Sequence, residues 1–208
     1  MKVTASALNI RSGPGTDFRV VGKVTKGVDV EVLEVHGDWA WVEAGSWGNG
    51  WVNQAYIAVD AKAFGPPAPN EIERVFGEPC TPACSAGRVE LPLPLKLGWA
   101  NARVTRVACH VLMVPIFTAV FHEIHAAGLW SELETFDGIY NCRAIKGSQN
   151  RSTHSWGISV DLNAAKNPMG LIGEMDPRII AIFNKHGFHW GGRFSRRDDM
   201  HFEFVKRS

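Results

Sequence analysis

The stretch "STHSWGISVDLN", residues 152–163, decides how this chain is to be read. Its second half alternates like a strand. Ile158, Val160 and Leu162 would point to one face, Ser159, Asp161 and Asn163 to the other. A second stretch, "RDDMHFEF" (197–204), alternates in the same way, with Met200, Phe202 and Phe204 on one face and His201 and Glu203 on the opposite one. Each strand then has an apolar face for packing and a polar face that can line a cleft. If the two polar faces look into one cleft, Asp161 and His201 meet there. His154, just ahead of the first strand, can curl over to the same point, and Gly157 gives the backbone room for that turn. Two imidazoles and one carboxylate, with a fourth position left for water, make the donor set of a catalytic zinc site. Taken singly, a histidine or aspartate beside a strand is more often a structural hydrogen-bonding group, so the weight rests on the joint pattern.

The rest of the chain bounds what such a site could serve. At 208 residues it is long for one small domain and comfortable for two. Hydrophobic residues make up 45% and charged residues 21%, as in ordinary globular proteins. The net charge of +1 argues against a nucleic-acid partner. No apolar run approaches the roughly 18 residues of a membrane span. The opening "MKVTASALNIRSGPG" has no apolar core of a secretory signal, so none is expected. Cys80, Cys84, Cys109 and Cys142 match no strong metal-binding spacing and read as buried thiols rather than a disulfide framework.

Residues 1–60 and 71–208 read as two different domains joined by a linker over 61–70, "AKAFGPPAPN". The first holds short alternating strands punctuated by Gly and Asp, "RVVGKVT", "VDVEVLEVH", "WAWVEA" and "GWVNQAYI", the pattern of a small all-β barrel. The second mixes helices and strands. "PIFTAVFHEIHAAG" has Pro115 in its first turn and Gly128 past its end. "DPRIIAIFNKHG" has Asp176 as N-cap, Pro177 at the first position and Gly187 as C-cap. "IYNCRAI", "WGISVDLN", "FHWGG" and "MHFEFV" read as short strands. An antiparallel sheet with helices on one side follows, and the whole is α+β.

The first segment, through "LNIRSGPG", the Lys26-Gly27 turn, Trp39, Trp41 and the closing "GWV", resembles a bacterial SH3-like domain. That resemblance implies binding to cell-wall peptide or glycan, with Trp39 and Trp41 as candidate contacts. The alternative is that the tryptophans are simply core.

The two-part pattern Ser152-x-His154-x-x-Gly157-x-x-x-Asp161 and Asp198-x-x-His201 resembles the zinc peptidases of peptidoglycan stem peptides. These are the D-Ala-D-Ala carboxypeptidases and the phage-type L-Ala-D-Glu endopeptidases. The likeness extends over "FDGIYNCRAIKGS", "WGISVDLN", "GFHWGG" and "MHFEF". It implies one Zn2+ held by His154, Asp161 and His201, with Asp198 as general base and Arg143 as a group for a substrate carboxylate or an oxyanion. Ser152 would orient His154 or its loop. Two departures stand out. Ser159 replaces the family's usual small residue and is expected to face the cleft, and Asp199 beside Asp198 leaves the choice of base open. The expected function is a phage-endolysin-like L-Ala-D-Glu endopeptidase acting on the cell wall. A D-Ala-D-Ala carboxypeptidase and a non-catalytic wall-binding protein are the alternatives. "HEIH" at 122–125 has the wrong spacing for a zinc helix and should edge a packed face.

Overall fold

The computed structural model describes residues 1–36, 38–58, 65–145 and 147–207. The chain divides into two compact units, Met1–Phe64 and Gly65–Ser208. The architecture is mixed, with antiparallel sheets throughout both units.

In the first unit, β1 (Lys2–Val3), β2 (Ala7–Arg11), β3 (Val20–Thr25), β4 (Glu31–His36), β5 (Trp39–Glu43), β6 (Asn49–Asn53) and β7 (Ile57–Ala58) follow one another. β2 to β6 form a five-stranded sheet in the order β3-β2-β6-β5-β4, and β1 pairs with β7. Alternation drives the fold: Leu8 and Ile10 on β2, Ala40 and Val42 on β5 and Val52 on β6 all point into one aliphatic core. Trp39 and Trp41 alternate with those core residues and so lie on the outer face of β5, half-buried. Trp41 meets Trp51 edge-on with ring centroids 5.8 Å apart, and the Arg11 guanidinium sits 6.0 Å over the Trp39 ring. These tryptophans are therefore a surface cluster rather than the interior of the barrel.

The second unit begins with two short helices, α1 (Ile72–Phe76) and α2 (Ala83–Ala86), and a long hairpin of β8 (Gly87–Lys96) and β9 (Arg103–Cys109). Then come α3 (Val114–Ala126), β10 (Phe136–Gly138), β11 (Ser159–Leu162), α4 (Pro177–Lys185), β12 (His189–Trp190) and β13 (His201–Glu203). The last four strands form one antiparallel sheet in the order β10-β11-β13-β12. Of the expected linker, residues 61–64 lie outside the described residues. Residues 65–70 belong to the second unit, where Pro67 accepts the Lys206 N–H at 2.8 Å.

Both expected helices form. Asp176 caps α4 by accepting the Arg178 N–H at 2.7 Å, and Gly187 just beyond it takes the left-handed φ of 88°. α3 buries Phe117, Val120, Phe121 and Ile124, while Phe183 of α4 stacks on Phe202 of β13 at 4.1 Å. The hydrophobic side of the sheet is thus sealed, and its polar side is left for the site.

Two expectations differ from what is found. "IYNCRAI" is not a strand. Past Gly138 the chain leaves the sheet and runs as a loop, with only an isolated bridge between Ala144 and Arg151. Nor are all four cysteines thiols. Cys80 and Cys142 form a disulfide with Cα atoms 5.2 Å apart, whereas Cys84 and Cys109 are buried and free. The loop at 139–145 lacks ladder hydrogen bonds, so a covalent tie to the segment ahead of α2 holds it in their place. The bridge closes a loop across a sequence separation of 62, for which chain entropy alone would give about 4 kcal/mol of stabilisation. Denaturant unfolding with and without a reductant should show a loss of up to that size, matched by Cys80→Ser/Cys142→Ser. Identical midpoints in the two conditions would show that the bridge does not restrain the unfolded chain.

Candidate metal centre

His154 lies in a 3-10 turn, Thr153–Trp156, opened by Ser152, whose hydroxyl accepts the His154 N–H at 3.4 Å. Gly157 ends the turn at φ 67°, and a Cβ there would fall 2.0 Å from the Cys84 carbonyl oxygen. Only glycine fits both the left-handed backbone and the close approach. The turn brings His154 back over β11. Its Nδ1 is 2.7 Å from the Ile139 carbonyl oxygen, which can only accept, so Nδ1 carries the proton and Nε2 keeps its lone pair.

Asp161 on β11 is directly opposite His201 on β13. The Nε2 of His201 faces the Glu203 carboxylate at 3.6 Å and the Thr153 hydroxyl at 3.5 Å, so a proton on Nε2 has acceptors beside it when Nδ1 gives up its own to a metal. Three donor atoms therefore converge. His154 Nε2 is 3.2 Å from His201 Nδ1 and 3.2 Å from Asp161 Oδ2, and His201 Nδ1 is 2.8 Å from Asp161 Oδ1. Four-coordinate zinc with bonds near 2.0–2.1 Å sets its ligand atoms about 3.3 Å apart, so the two nitrogens stand at the spacing a small tetrahedral cation needs, with one Asp161 oxygen beside each of them. Both histidines are almost wholly buried, and no other group of metal-binding side chains stands out among the described residues.

The charges agree with that geometry. Burial works to raise the Asp161 pKa, but the His154 and His201 imidazoles outweigh it and hold the carboxyl well below the usual range. For His201, burial opposes the charged form, yet Asp161 and Glu203 raise its pKa to about 10. Glu203 is likewise opposed by burial but is lowered to about 2 by His201 and Arg207, whose Nε lies 2.6 Å from it. The pocket thus demands a positive charge beside two buried carboxylates, and a bound cation would take over the place of the imidazolium proton.

The remaining candidates separate cleanly. Asp198 is partly buried, and its Oδ1 has no hydrogen-bond partner among the described residues. Burial, with Asp161 nearby, raises its pKa above the ordinary carboxylate value. Asp199 is 1% exposed and committed elsewhere, accepting the Gly173 N–H at 2.8 Å and pairing with Arg197 at 2.6 Å. Arg143 lines a cleft of about 220 Å³ together with Trp99, Asp137, Tyr140, His154 and Asp161, and its guanidinium has no ion-pair partner among the described residues. Ser159, expected to face the cleft, is fully buried instead, opposite Glu203 in the ladder. Its hydroxyl has no hydrogen-bond partner among the described residues.

The "HEIH" segment plays no part in this centre. His122 and His125 are exposed on α3, and Glu123 joins α3 to α4 through Lys185 and His186. Two groups had no role assigned from sequence. Glu203 was visible on the His201 face, but its contact with His201 depends on ring orientation. The Ile139 carbonyl carries no side-chain signal at all.

Comparison with known proteins adds two matches. Residues 146–204 match the family described as D-alanyl-D-alanine carboxypeptidase, a segment that contains His154, Asp161, Asp198 and His201. Among curated proteins, a Bacillus subtilis (strain 168) protein named "Putative N-acetylmuramoyl-L-alanine amidase YrvJ" is 36% identical over 61 residues. That match covers 29% of this chain and 12% of the relative, so the chain spans a small part of it. No solved structure matches. Residues 6–58 match the bacterial SH3 domain, so the chain is similar to a bacterial SH3 domain over its first unit and to the D-alanyl-D-alanine carboxypeptidase family over 146–204.

Proposed function

We propose that this protein is a zinc-dependent peptidase that hydrolyses the stem peptide of peptidoglycan and is held on the cell wall by its N-terminal unit. The convergence of His154 Nε2, Asp161 and His201 Nδ1, all within 4.8 Å of one another, carries the reading. Bound there, Zn2+ would acidify a water and polarise the scissile carbonyl. The chain's own groups supply the rest. With the metal bound, Ile139 and Glu203 would hold the two imidazoles by their remaining ring N–H groups, leaving His154 Nε2 and His201 Nδ1 as donors.

Asp198 would take the attacking water's proton and pass it to the leaving amine. Its unpartnered oxygen suits that role, and burial, which raises its pKa, favours uptake of the proton. Asp199, tied to Arg197 and the Gly173 amide, is a brace for the loop rather than a base. Arg143 offers an uncommitted guanidinium for a carboxylate next to the scissile bond. Both candidate bonds provide one: in L-Ala-D-Glu and in D-Ala-D-Ala, the residue after the bond bears a free carboxylate. The outer-face cluster of Trp39, Trp41 and Trp51 is the candidate contact with the wall. An endolysin role, as expected from the sequence, is compatible with this chemistry.

Purified peptidoglycan should be cleaved by the wild type carrying about one zinc per chain. Asp198→Ala should keep the zinc and lose roughly 100-fold or more in rate. Full activity of Asp198→Ala would remove the base assignment. Zinc binding without cleavage of any wall type would leave a binding protein. The orienting carboxylate makes a separate prediction. Glu203→Gln should weaken Zn2+ affinity roughly 10- to 100-fold, measured by competition with a chromophoric chelator. Unchanged affinity would show that Glu203 serves folding alone.

A further inference from the structure

The segment from Asp137 to Arg143 runs antiparallel to the metal-donor segment and forms one wall of the cleft. At one end, the Asp137 Oδ2 accepts the Ala164 N–H at 3.0 Å and the Thr135 hydroxyl at 2.7 Å. In the middle, Gly138 pairs with Asp161, and the Asn141 N–H reaches the His154 carbonyl at 3.1 Å. At the other end, the Arg143 N–H meets the Ser155 hydroxyl at 3.1 Å. The wall thus carries a carboxylate at one end and a guanidinium at the other, with Asp161 and His154 beside its middle.

Neither terminal charge is neutralised by a side chain. Asp137 and Arg143 both line the cleft, and neither has an ion-pair partner among the described residues. The hydrogen bonds of Asp137 fall on Oδ2. Oδ1 packs against Gly98, where a Cβ would come within 1.8 Å of it and push the carboxylate aside. The next residue, Trp99, lines the same cleft and is 62% exposed, its ring 6.2 Å from Phe136. A carboxylate beside an exposed indole suits a primary alkylammonium: the carboxylate takes the charge, and the ring covers the methylene stem.

Resting on the peptidase reading above, we infer that Asp137 and Trp99 form a subsite for the side-chain ammonium of the stem peptide's diamino acid. With Arg143 on the leaving residue's carboxylate, substrate charge lies on both sides of the scissile bond. The D-Ala-D-Ala bond meets that requirement, since its leaving residue ends in a carboxylate and the diamino acid lies on the acyl side. The L-Ala-D-Glu bond does not, because there the carboxylate and the diamino acid fall on the same side. The polarity of the cleft therefore favours carboxypeptidase cleavage over the endopeptidase cleavage expected from sequence.

The test uses zinc-loaded full-length protein and the pentapeptide L-Ala-γ-D-Glu-L-Lys-D-Ala-D-Ala, with the lysine free or Nε-acetylated, the products being read by mass spectrometry. Wild type should release D-Ala from the free-lysine peptide with a kcat/KM roughly 5- to 20-fold higher than from the acetylated one. In Asp137→Asn that ratio should fall toward one. Trp99→Ala, a change at an exposed position, should reduce it in part. Equal rates on both peptides, an undiminished ratio in Asp137→Asn, or cleavage at L-Ala-D-Glu would overturn the subsite and leave the peptidase standing. Hydrolysis of neither peptide would overturn both.

Discussion

The register between β11 and β13 is the constraint on which the site depends. Asp161 stands opposite His201 because Val160 stands opposite Phe202 and Ser159 opposite Glu203. A slip of one residue would turn His201 and Glu203 toward the core and Phe202 and Phe204 toward the cleft. The apolar face forbids that slip. Phe202 stacks on Phe183, Phe204 packs against Phe188, and Val160 and Leu162 are wholly buried. Burying a phenylalanine is worth about 1.5–3 kcal/mol, so the core pins the chemistry without touching it.

The polar side is a continuous chain of charge. Arg207 pairs with Glu203, Glu203 faces His201, His201 faces Asp161, and Asp161 reaches His154. Burying two carboxylates is costly unless positive charge accompanies them. Arg207 balances one of them, and His201 in its protonated form balances the other. A divalent cation among the donors would displace that proton and meet the same demand. With that proton displaced, Ile139 and Glu203 would stand beside the remaining ring N–H groups, and the other two ring nitrogens would be directed at the cation.

The parts legible in the sequence were those written in local period or capping. Alternation over 158–163 and 200–204 placed Asp161 and His201 on polar faces, and the Asp176 and Gly187 signals bounded α4. The need for Gly157 was visible, although its reason, the Cys84 carbonyl beneath it, was not. What could not be read depends on contacts far apart in the chain. Cys80 and Cys142 carry no spacing signature across their separation of 62. Pro92 and Pro94 fall inside β8, which masked the β8–β9 hairpin, because proline seldom sits within a paired strand. "IYNCRAI" is apolar enough for a strand, but its backbone is committed to the 152–155 turn instead. Asp137 and Trp99 line one cleft because the hairpin turn comes back beside β10.

The central claim is that one metal ion is shared by His154 through Nε2, His201 through Nδ1 and the Asp161 carboxylate. Anomalous diffraction from crystals grown with Zn2+, collected on either side of the zinc edge, tests it most directly. One peak about 2.0–2.2 Å from those three atoms is the predicted result. A peak held by other side chains, or His201 bound through Nε2 with its ring turned away from Glu203, would contradict it.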